Sequence, residues 1–203
     1  MRLLHVYNHT FREYYGENIP PYVITSHRWS NDETTYKDVL KKRNTTSKGW
    51  RKIEGFCDRV QSDNELLKTF ENATCCEWLW VDTCCIDARS SAEVSESINS
   101  MFQWYADAQE CHAYLADVRA MPANGDVSEV LEDFRKSEWF RRGWTLQELV
   151  APKCVVFFTR TWEVIGHKCA YCTGAAKRCE GAGPLLNNII AEITGIPDDV
   201  LRD

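Results

Sequence analysis

The chain alternates between short apolar runs and segments in which apolar residues recur at helical spacing. The runs that have the composition of buried strands are YVITS (22–26), WLWVD (78–82), CHAYLADV (111–118) and CVVFF (154–158). The periodic segments predict helices over 47–60, 90–108, 144–150 and 184–194. The helix over 90–108 is the best defined, because Ser90 and Glu93 have the spacing of a capping box. Its apolar stripe comprises Val94, Ile98, Met101, Phe102 and Tyr105.

This alternation of strand and helix predicts an α/β fold in which a parallel sheet is flanked by helices. Ligands of such sheets bind beyond the carboxyl ends of the strands. Three polar sequences follow the predicted strands: SHRWSND after the first, DTCCID after the second, and the segment that leads into Gly143 and Trp144 after the third. We therefore expect the functional residues in these three sequences.

Composition places the chain among ordinary globular proteins. With 203 residues, of which 44% are hydrophobic, it is long enough for one well-packed domain. The formal net charge is −6, from 24 basic and 30 acidic residues, which argues against nonspecific binding to nucleic acid or to anionic membranes. No stretch approaches the roughly 20 apolar residues that span a bilayer. The first residues, MRLLHVYNHTF, contain no secretory signal, so we expect a cytoplasmic protein with reduced cysteines.

Two segments interrupt the predicted elements. The polar segment 119–136 predicts an exposed loop with a helical part, and 166–183 predicts an irregular, cysteine-rich insertion. His167, Cys169, Cys172 and Cys179 are numerous enough for a zinc site, but a lone C-x-x-C with loose spacing is weak support. We predict no metal, and the sequence leaves the role of these cysteines open.

Three motifs together resemble the fungal heterokaryon-incompatibility (HET) domain. They are SHRWS (26–30), WVDTCCID (80–87) and RGWTLQELVAP (142–152), in family-like order and spacing, so the resemblance covers roughly residues 20–166. It implies a single domain over 1–203 with a core of about 20–166, and we expect a fragment of a longer protein. It also implies a role in non-self recognition and programmed cell death.

The order of elements is similar, more distantly, to that of TIR domains, which implies a TIR-like (flavodoxin-like) sheet with loop insertions. Many TIR domains cleave NAD at the nicotinamide–ribose bond. Trp144 stands four residues before Glu148, like the aromatic residue that precedes the TIR catalytic glutamate by one turn. The resemblance therefore implies that Glu148 is the catalytic carboxylate and that Arg28 and Trp144 contact the substrate.

The chemistry of NAD cleavage suits these residue types. Nicotinamide leaves as a neutral group from a cationic pyridinium, so one carboxylate that opposes the developing oxocarbenium ion is enough. Arg28 offers a fork of donors for a pyrophosphate, and Asp82 can position a ribose hydroxyl. The predicted substrate contacts are Ser26, His27, Arg28, Trp29, Asp82 and Trp144.

Each assignment has a structural alternative. Glu148 can be a solvated helix residue, Trp144 a core residue, and Arg28 a partner of Asp82 or Asp87 at the strand ends. Cys84 and Cys85, with His27 as a base, can form a thiol nucleophile, although buried structural thiols are commoner.

The predicted function is a TIR-like cell-death effector that cleaves NAD as its substrate, needs no cofactor and forms a homo-oligomer on activation. The alternative is a noncatalytic, self-associating module that recruits death factors.

Overall fold

A computed structural model describes residues 1–16, 18–69, 74–170 and 181–202. The chain divides into two compact units. The N-terminal unit comprises Met1–Thr25 and Trp29–Trp104, and the C-terminal unit comprises Ser26–Arg28 and Tyr105–Asp203. The described residues contain seven strands together with flanking helices, which confirms the α/β class.

Four strands are assigned in the N-terminal part of the chain: β1 (Arg2–His5), β2 (Phe11–Glu13), β3 (Tyr22–His27) and β4 (Trp78–Trp80). Their order is β2-β1-β4-β3. Strands β3 and β4 are parallel, whereas β1 is antiparallel to both of its neighbours. The expectation of an entirely parallel sheet is therefore wrong at this edge. The connection over residues 6–10 is too short for a crossover, so β1 and β2 form an antiparallel pair.

Four helices accompany these strands: α1 (Tyr36–Leu40), α2 (Lys48–Leu67), α3 (Asp82–Cys85) and α4 (Ser91–Asp107). Helix α2 begins after Ser47, whose side chain accepts a hydrogen bond from the Trp50 amide. The stripe that predicted this helix is buried along its whole length, which confirms the interpretation: Trp50, Ile53, Cys57 and Val60.

Helix α4 differs from its prediction in two ways. The Glu93 amide donates to Ser90 Oγ at 3.3 Å, but the Glu93 carboxylate binds Arg2 and the Asp87 amide. In the apolar stripe Tyr105 is buried, whereas Ile98 is 47% exposed and Phe102 is 53% exposed. Helical periodicity thus located the helix, although Ile98 and Phe102 of its apolar face are exposed.

The C-terminal unit contains β5 (Glu110–Tyr114), β6 (Cys154–Phe158) and β7 (Val164–Cys169) in that order. Strands β5 and β6 are parallel, as predicted, and β6 and β7 are antiparallel. Only residues 159–163 join β6 to β7, which again excludes a crossover. The helices are α5 (Ser128–Lys136), a 3₁₀ turn (Glu138–Arg141), α6 (Thr145–Val150), α7 (Asn187–Thr194) and α8 (Asp198–Leu201).

Strand β7 occupies the start of the segment 166–183 that the sequence predicts to be irregular. A Cβ atom at Gly166 would lie 2.5 Å from the Pro184 carbonyl oxygen, so glycine permits a close backbone approach there. His167 Nδ1 lies 3.0 Å from the Gly183 carbonyl oxygen. Cys172 and Cys179, which the zinc alternative requires, lie outside the described residues.

The core of each unit is apolar and closely packed. In the N-terminal unit it includes Leu3, Leu4, Ile24, Phe56, Leu79 and Trp80. In the C-terminal unit it includes Ala113, Phe134, Trp139, Val155, Phe157 and Ile190. In the part of the chain that the structure describes, no helix is long and apolar enough to cross a membrane.

Candidate functional site

Glu148 lies on α6 and is buried, with only 5% of its surface exposed. Its Oε2 accepts a hydrogen bond of 2.5 Å from the hydroxyl of Ser26, which is 1% exposed on β3. The interpretation of Glu148 as a solvated helix residue is therefore wrong. A buried carboxyl group requires hydrogen-bond partners, because it has lost contact with water. Two residues predicted from separate motifs are thus in direct contact.

Trp139 completes this arrangement. Its indole Nε1–H donates to Ser26 Oγ at 2.7 Å, and its ring is 1% exposed. An indole N–H is only a donor, so Ser26 Oγ accepts that bond and directs its own proton toward Glu148. The hydrogen bonds therefore run in one direction, from Trp139 through Ser26 to Glu148. Trp139 is not among the site residues that the sequence predicts.

Helix α6 is fixed at both ends. At its beginning, the Thr145 hydroxyl donates to the Trp139 carbonyl oxygen at 2.7 Å. Beyond its end, the buried Lys168 Nζ on β7 donates to the Pro152 carbonyl oxygen at 2.6 Å. Burial lowers the pKa of Lys168 from its ordinary value, because the protein interior solvates the charged form poorly. These two contacts hold the helix that carries Glu148.

The other predicted residues of the C-terminal unit differ in exposure. His27 is buried, and its carbonyl oxygen accepts a hydrogen bond of 2.6 Å from Arg142. Arg28 is exposed, and two residues of chain reach at most about 7 Å, so its backbone lies near Ser26. Trp144 is 49% exposed, unlike the buried Glu148 that follows it by one turn. The aromatic ring that is hydrogen-bonded to Glu148 through Ser26 is that of Trp139 and not that of Trp144.

The pKa of Cys111 on β5 is influenced by the charge of Glu148. Burial is the main cause that raises the pKa of this thiol, and the negative charge of Glu148 raises it further. The thiol is therefore protonated at neutral pH and is a poor nucleophile.

Trp29 and Asp82, the predicted contacts in the N-terminal unit, are hydrogen-bonded to each other. Trp29 Nε1 donates to Asp82 Oδ2 at 2.7 Å while the ring remains 58% exposed. The strand predicted over 78–82 ends at Trp80, two residues earlier than predicted. Asp82 begins α3 just beyond the carboxyl end of β4, where the sequence DTCCID was expected. Its Oδ1 accepts from the Thr83 amide at 2.8 Å. The pair presents an oriented aromatic surface.

The remaining alternatives also have structural outcomes. Asp87 pairs with Arg89 at 2.6 Å, which holds the pKa of Asp87 at about 2. Cys84 and Cys85 are buried free thiols. Burial, followed by the hydrogen bond with Cys85, raises the pKa of Cys84 well above its ordinary value. An activated nucleophile needs a lowered pKa, so these contacts do not favour thiol chemistry at Cys84. Within the described ranges no disulfide is present.

These features define an α/β protein with a buried glutamate that a serine and a tryptophan orient through hydrogen bonds. The chain belongs to the heterokaryon incompatibility protein (HET) family, whose model matches residues 22–127. It is also similar to vegetative incompatibility protein HET-E-1 of Podospora anserina, with 40% identity over 188 residues. That match covers 91% of the chain but only 12% of the relative. No solved structure is significantly similar to the chain.

Proposed function

We propose that this HET domain is a cytoplasmic cell-death effector of vegetative incompatibility that cleaves NAD, with Glu148 as its catalytic carboxylate. Membership of the HET family and the name of the similar relative support the role in incompatibility. The observation that carries the enzymatic part is the burial of Glu148 beside Ser26. A buried carboxyl group is costly to retain, and such groups are concentrated at functional sites.

The reaction breaks the bond between the ribose C1′ and the nicotinamide nitrogen. The electron pair of that bond leaves with nicotinamide, which becomes neutral, and water attacks C1′ and releases a proton. The transition state carries positive charge on the ribose, as in glycoside cleavage. A fixed negative charge on Glu148 lowers the free energy of this state more than that of bound NAD, because the charge develops only as the bond breaks.

The substrate contacts of this proposal follow from exposure and chemistry. Arg28 is exposed and presents a guanidinium for the pyrophosphate, and Trp144 presents a half-exposed ring for stacking. Ser26 contacts Glu148 directly, and His27 follows Ser26 in β3. Trp29 and Asp82 remain predicted substrate contacts. The likeness of the fold to TIR domains also remains a prediction.

The direct test is the release of nicotinamide from NAD by the purified chain. The assay is run at high protein concentration as well as at low concentration, because we propose that activation involves a homo-oligomer. A folded chain that releases no nicotinamide at either concentration contradicts the enzymatic proposal. Since the chain spans 12% of its relative, the full-length protein is assayed in parallel.

The second candidate function is a noncatalytic module that self-associates and recruits death factors. The exposed apolar pair Ile98 and Phe102, one turn apart on α4, favours it, because exposed apolar surface promotes association. Replacement of Ile98 by Glu is expected to keep the chain monomeric in light-scattering measurements. If that variant still cleaves NAD but no longer kills cells, association rather than catalysis causes death.

A further inference from the structure

We infer that Trp139 and Ser26 are positioning residues that act on Glu148 in series: the indole orients the serine hydroxyl, and the hydroxyl orients the carboxylate. This inference rests on the proposed role of Glu148. It assigns Ser26 to the support of Glu148, where the sequence predicted a substrate contact, and it adds Trp139 to the site. The two hydrogen bonds that carry it measure 2.7 Å and 2.5 Å.

The protons available at these atoms fix the direction of the series. The Ser26 hydroxyl has one proton, and the indole N–H can only donate, so the hydroxyl proton points to Glu148. Trp139 and Ser26 are each 1% exposed and Glu148 is 5% exposed, so bulk water does not reach the series to replace a lost donor. In such surroundings the loss of one hydrogen bond leaves a polar group poorly satisfied.

The surroundings of Trp139 fix the direction in which its N–H points. Its ring meets Phe140 edge-on with centroids 5.0 Å apart and Phe157 edge-on with centroids 5.5 Å apart. Its main-chain carbonyl accepts the hydroxyl of Thr145, the first residue of α6. The same residue therefore binds Ser26 through its side chain and the Glu148 helix through its backbone.

A tryptophan that serves only as core packing predicts different behaviour from a positioning residue. Loss of packing lowers stability, whereas loss of orientation lowers the rate of the chemical step at an unchanged affinity for substrate. The variants that separate these effects are Trp139→Phe, which keeps a ring but removes the N–H, and the pair Ser26→Ala and Ser26→Thr. The control is Trp80→Phe, which alters an equally buried tryptophan in the N-terminal unit.

The first measurement is kcat and KM for NAD. We expect Ser26→Ala to lower kcat about 10- to 100-fold and Trp139→Phe about 10-fold, with KM changed less than about twofold, while Ser26→Thr restores most of the rate. In the double variant of Ser26→Ala and Trp139→Phe, the second substitution lowers kcat no further, because Trp139 acts on Glu148 through Ser26. Trp80→Phe leaves kcat unchanged. Multiplicative losses in the double variant, or a change confined to KM, would overturn the inference.

The second measurement does not depend on catalysis. Unfolding in urea is measured for Trp139→Phe, for Glu148→Ala, which removes the acceptor of the Ser26 hydroxyl, and for their combination. We expect a coupling of about tenfold in the unfolding equilibrium constant. That coupling disappears when Ser26 is replaced by Ala. If the coupling is found but the chain cleaves no NAD, the proposed function fails while the series stands. If NAD is cleaved and no coupling is found, the positioning inference fails while the proposed function stands.

Discussion

The Ser26 hydroxyl donates a hydrogen bond of 2.5 Å to Glu148, a residue 122 positions later in the sequence. The contact joins the end of β3 to α6 inside the C-terminal unit. The sequence predicts both residues as site residues, Ser26 from the motif SHRWS and Glu148 from RGWTLQELVAP. Their contact places a hydrogen-bonded polar pair in the interior of the C-terminal unit.

The first prediction concerns the N-terminal unit, which we expect Arg2→Met to destabilise strongly. The guanidinium binds Glu93 at 2.6 Å, Glu13 at 2.8 Å and the Cys85 carbonyl oxygen at 3.1 Å. It also lies 4.1 Å from the centre of the Tyr36 ring. Methionine keeps the apolar stem but leaves these acceptors without their donor, which lowers the free energy of unfolding by about 2–4 kcal/mol. Urea denaturation measures the change.

The control for Arg2 is Arg89→Met. Arg89 binds Asp87 at 2.6 Å, but 63% of its side chain is exposed, so water screens the pair. Its loss is expected to leave the midpoint of urea denaturation nearly unchanged. Equal effects of the two substitutions would mean that Arg2 is no more than a surface ion pair.

A second prediction concerns two glycines at the beginning of helical segments. A Cβ atom at Gly49 would lie 2.3 Å from the Asp32 carbonyl oxygen and 2.5 Å from the Thr34 amide nitrogen. Gly49→Ala therefore forces two backbone segments apart, and we expect it to destabilise the chain by about 1–3 kcal/mol.

A Cβ atom at Gly143 would meet nothing within 4 Å. Gly143→Ala is the matched control, and its free energy of unfolding is expected to stay within about 1 kcal/mol of that of the unmodified chain. Thermal unfolding of both variants decides the matter. A stable Gly49→Ala chain would show that the loop before α2 moves without cost.

The predicted strands that the structure confirms are those with apolar or β-branched runs, such as YVITS and CVVFF, because strands buried on both faces are rich in such residues. Strands β1 and β2 contain four and three residues and lie in the mixed sequence MRLLHVYNHTFRE. Their formation depends on strand pairing, of β2 with β1 and of β1 with β4, which the periodicity of a single segment does not register. The same applies to β7, which contains the polar residues His167 and Lys168.

The site was predictable in part for a related reason. Motif spacing identified Ser26 and Glu148, but it directed attention to Trp144 as the aromatic partner. Trp139 lies in the 3₁₀ turn nine residues before Glu148, and Gly143 separates that turn from α6, so no helical periodicity connects the two residues. Which indole reaches Ser26 depends on how the turn folds, and that is tertiary information.

A third prediction uses the pH dependence of stability. The pKa of Cys111 is raised by burial and by the charge of Glu148. Above about pH 8.5 the thiol of the unfolded chain loses its proton, while the folded chain keeps it. The unfolded state then binds fewer protons, so the free energy of unfolding falls by about 1.4 kcal/mol per pH unit through this thiol.

Cys111→Ala removes this contribution. At pH 7.5 the variant has a lower free energy of unfolding than the unmodified chain, because it has lost packing. At pH 10 the difference between the two free energies of unfolding is smaller by about 2 kcal/mol. Urea denaturation under reducing conditions at the two pH values measures both differences. A difference that is the same at both pH values would mean that the folded thiol ionises normally.

The last prediction is that Glu148→Gln abolishes nicotinamide release and toxicity while the chain remains folded. Glutamine retains an oxygen that accepts the Ser26 hydroxyl, so the packing around α6 is preserved, but it removes the negative charge. Loss of one electrostatic contact to the developing cation lowers the rate about 10²- to 10³-fold. The control is Glu132→Gln on the exposed side of α5, where the carboxylate binds Lys136 at 2.6 Å and 56% of the side chain is exposed.

Glu132→Gln is expected to leave the midpoint of thermal unfolding nearly unchanged and to leave NAD cleavage intact. Circular dichroism and thermal unfolding establish that both variants are folded before activity is compared. If Glu148→Gln melts like the unmodified chain and still releases nicotinamide, Glu148 is not the catalyst. If it releases none and still kills cells, death proceeds without NAD cleavage, and the exposed residues Ile98 and Phe102 of α4 become the surface to alter next.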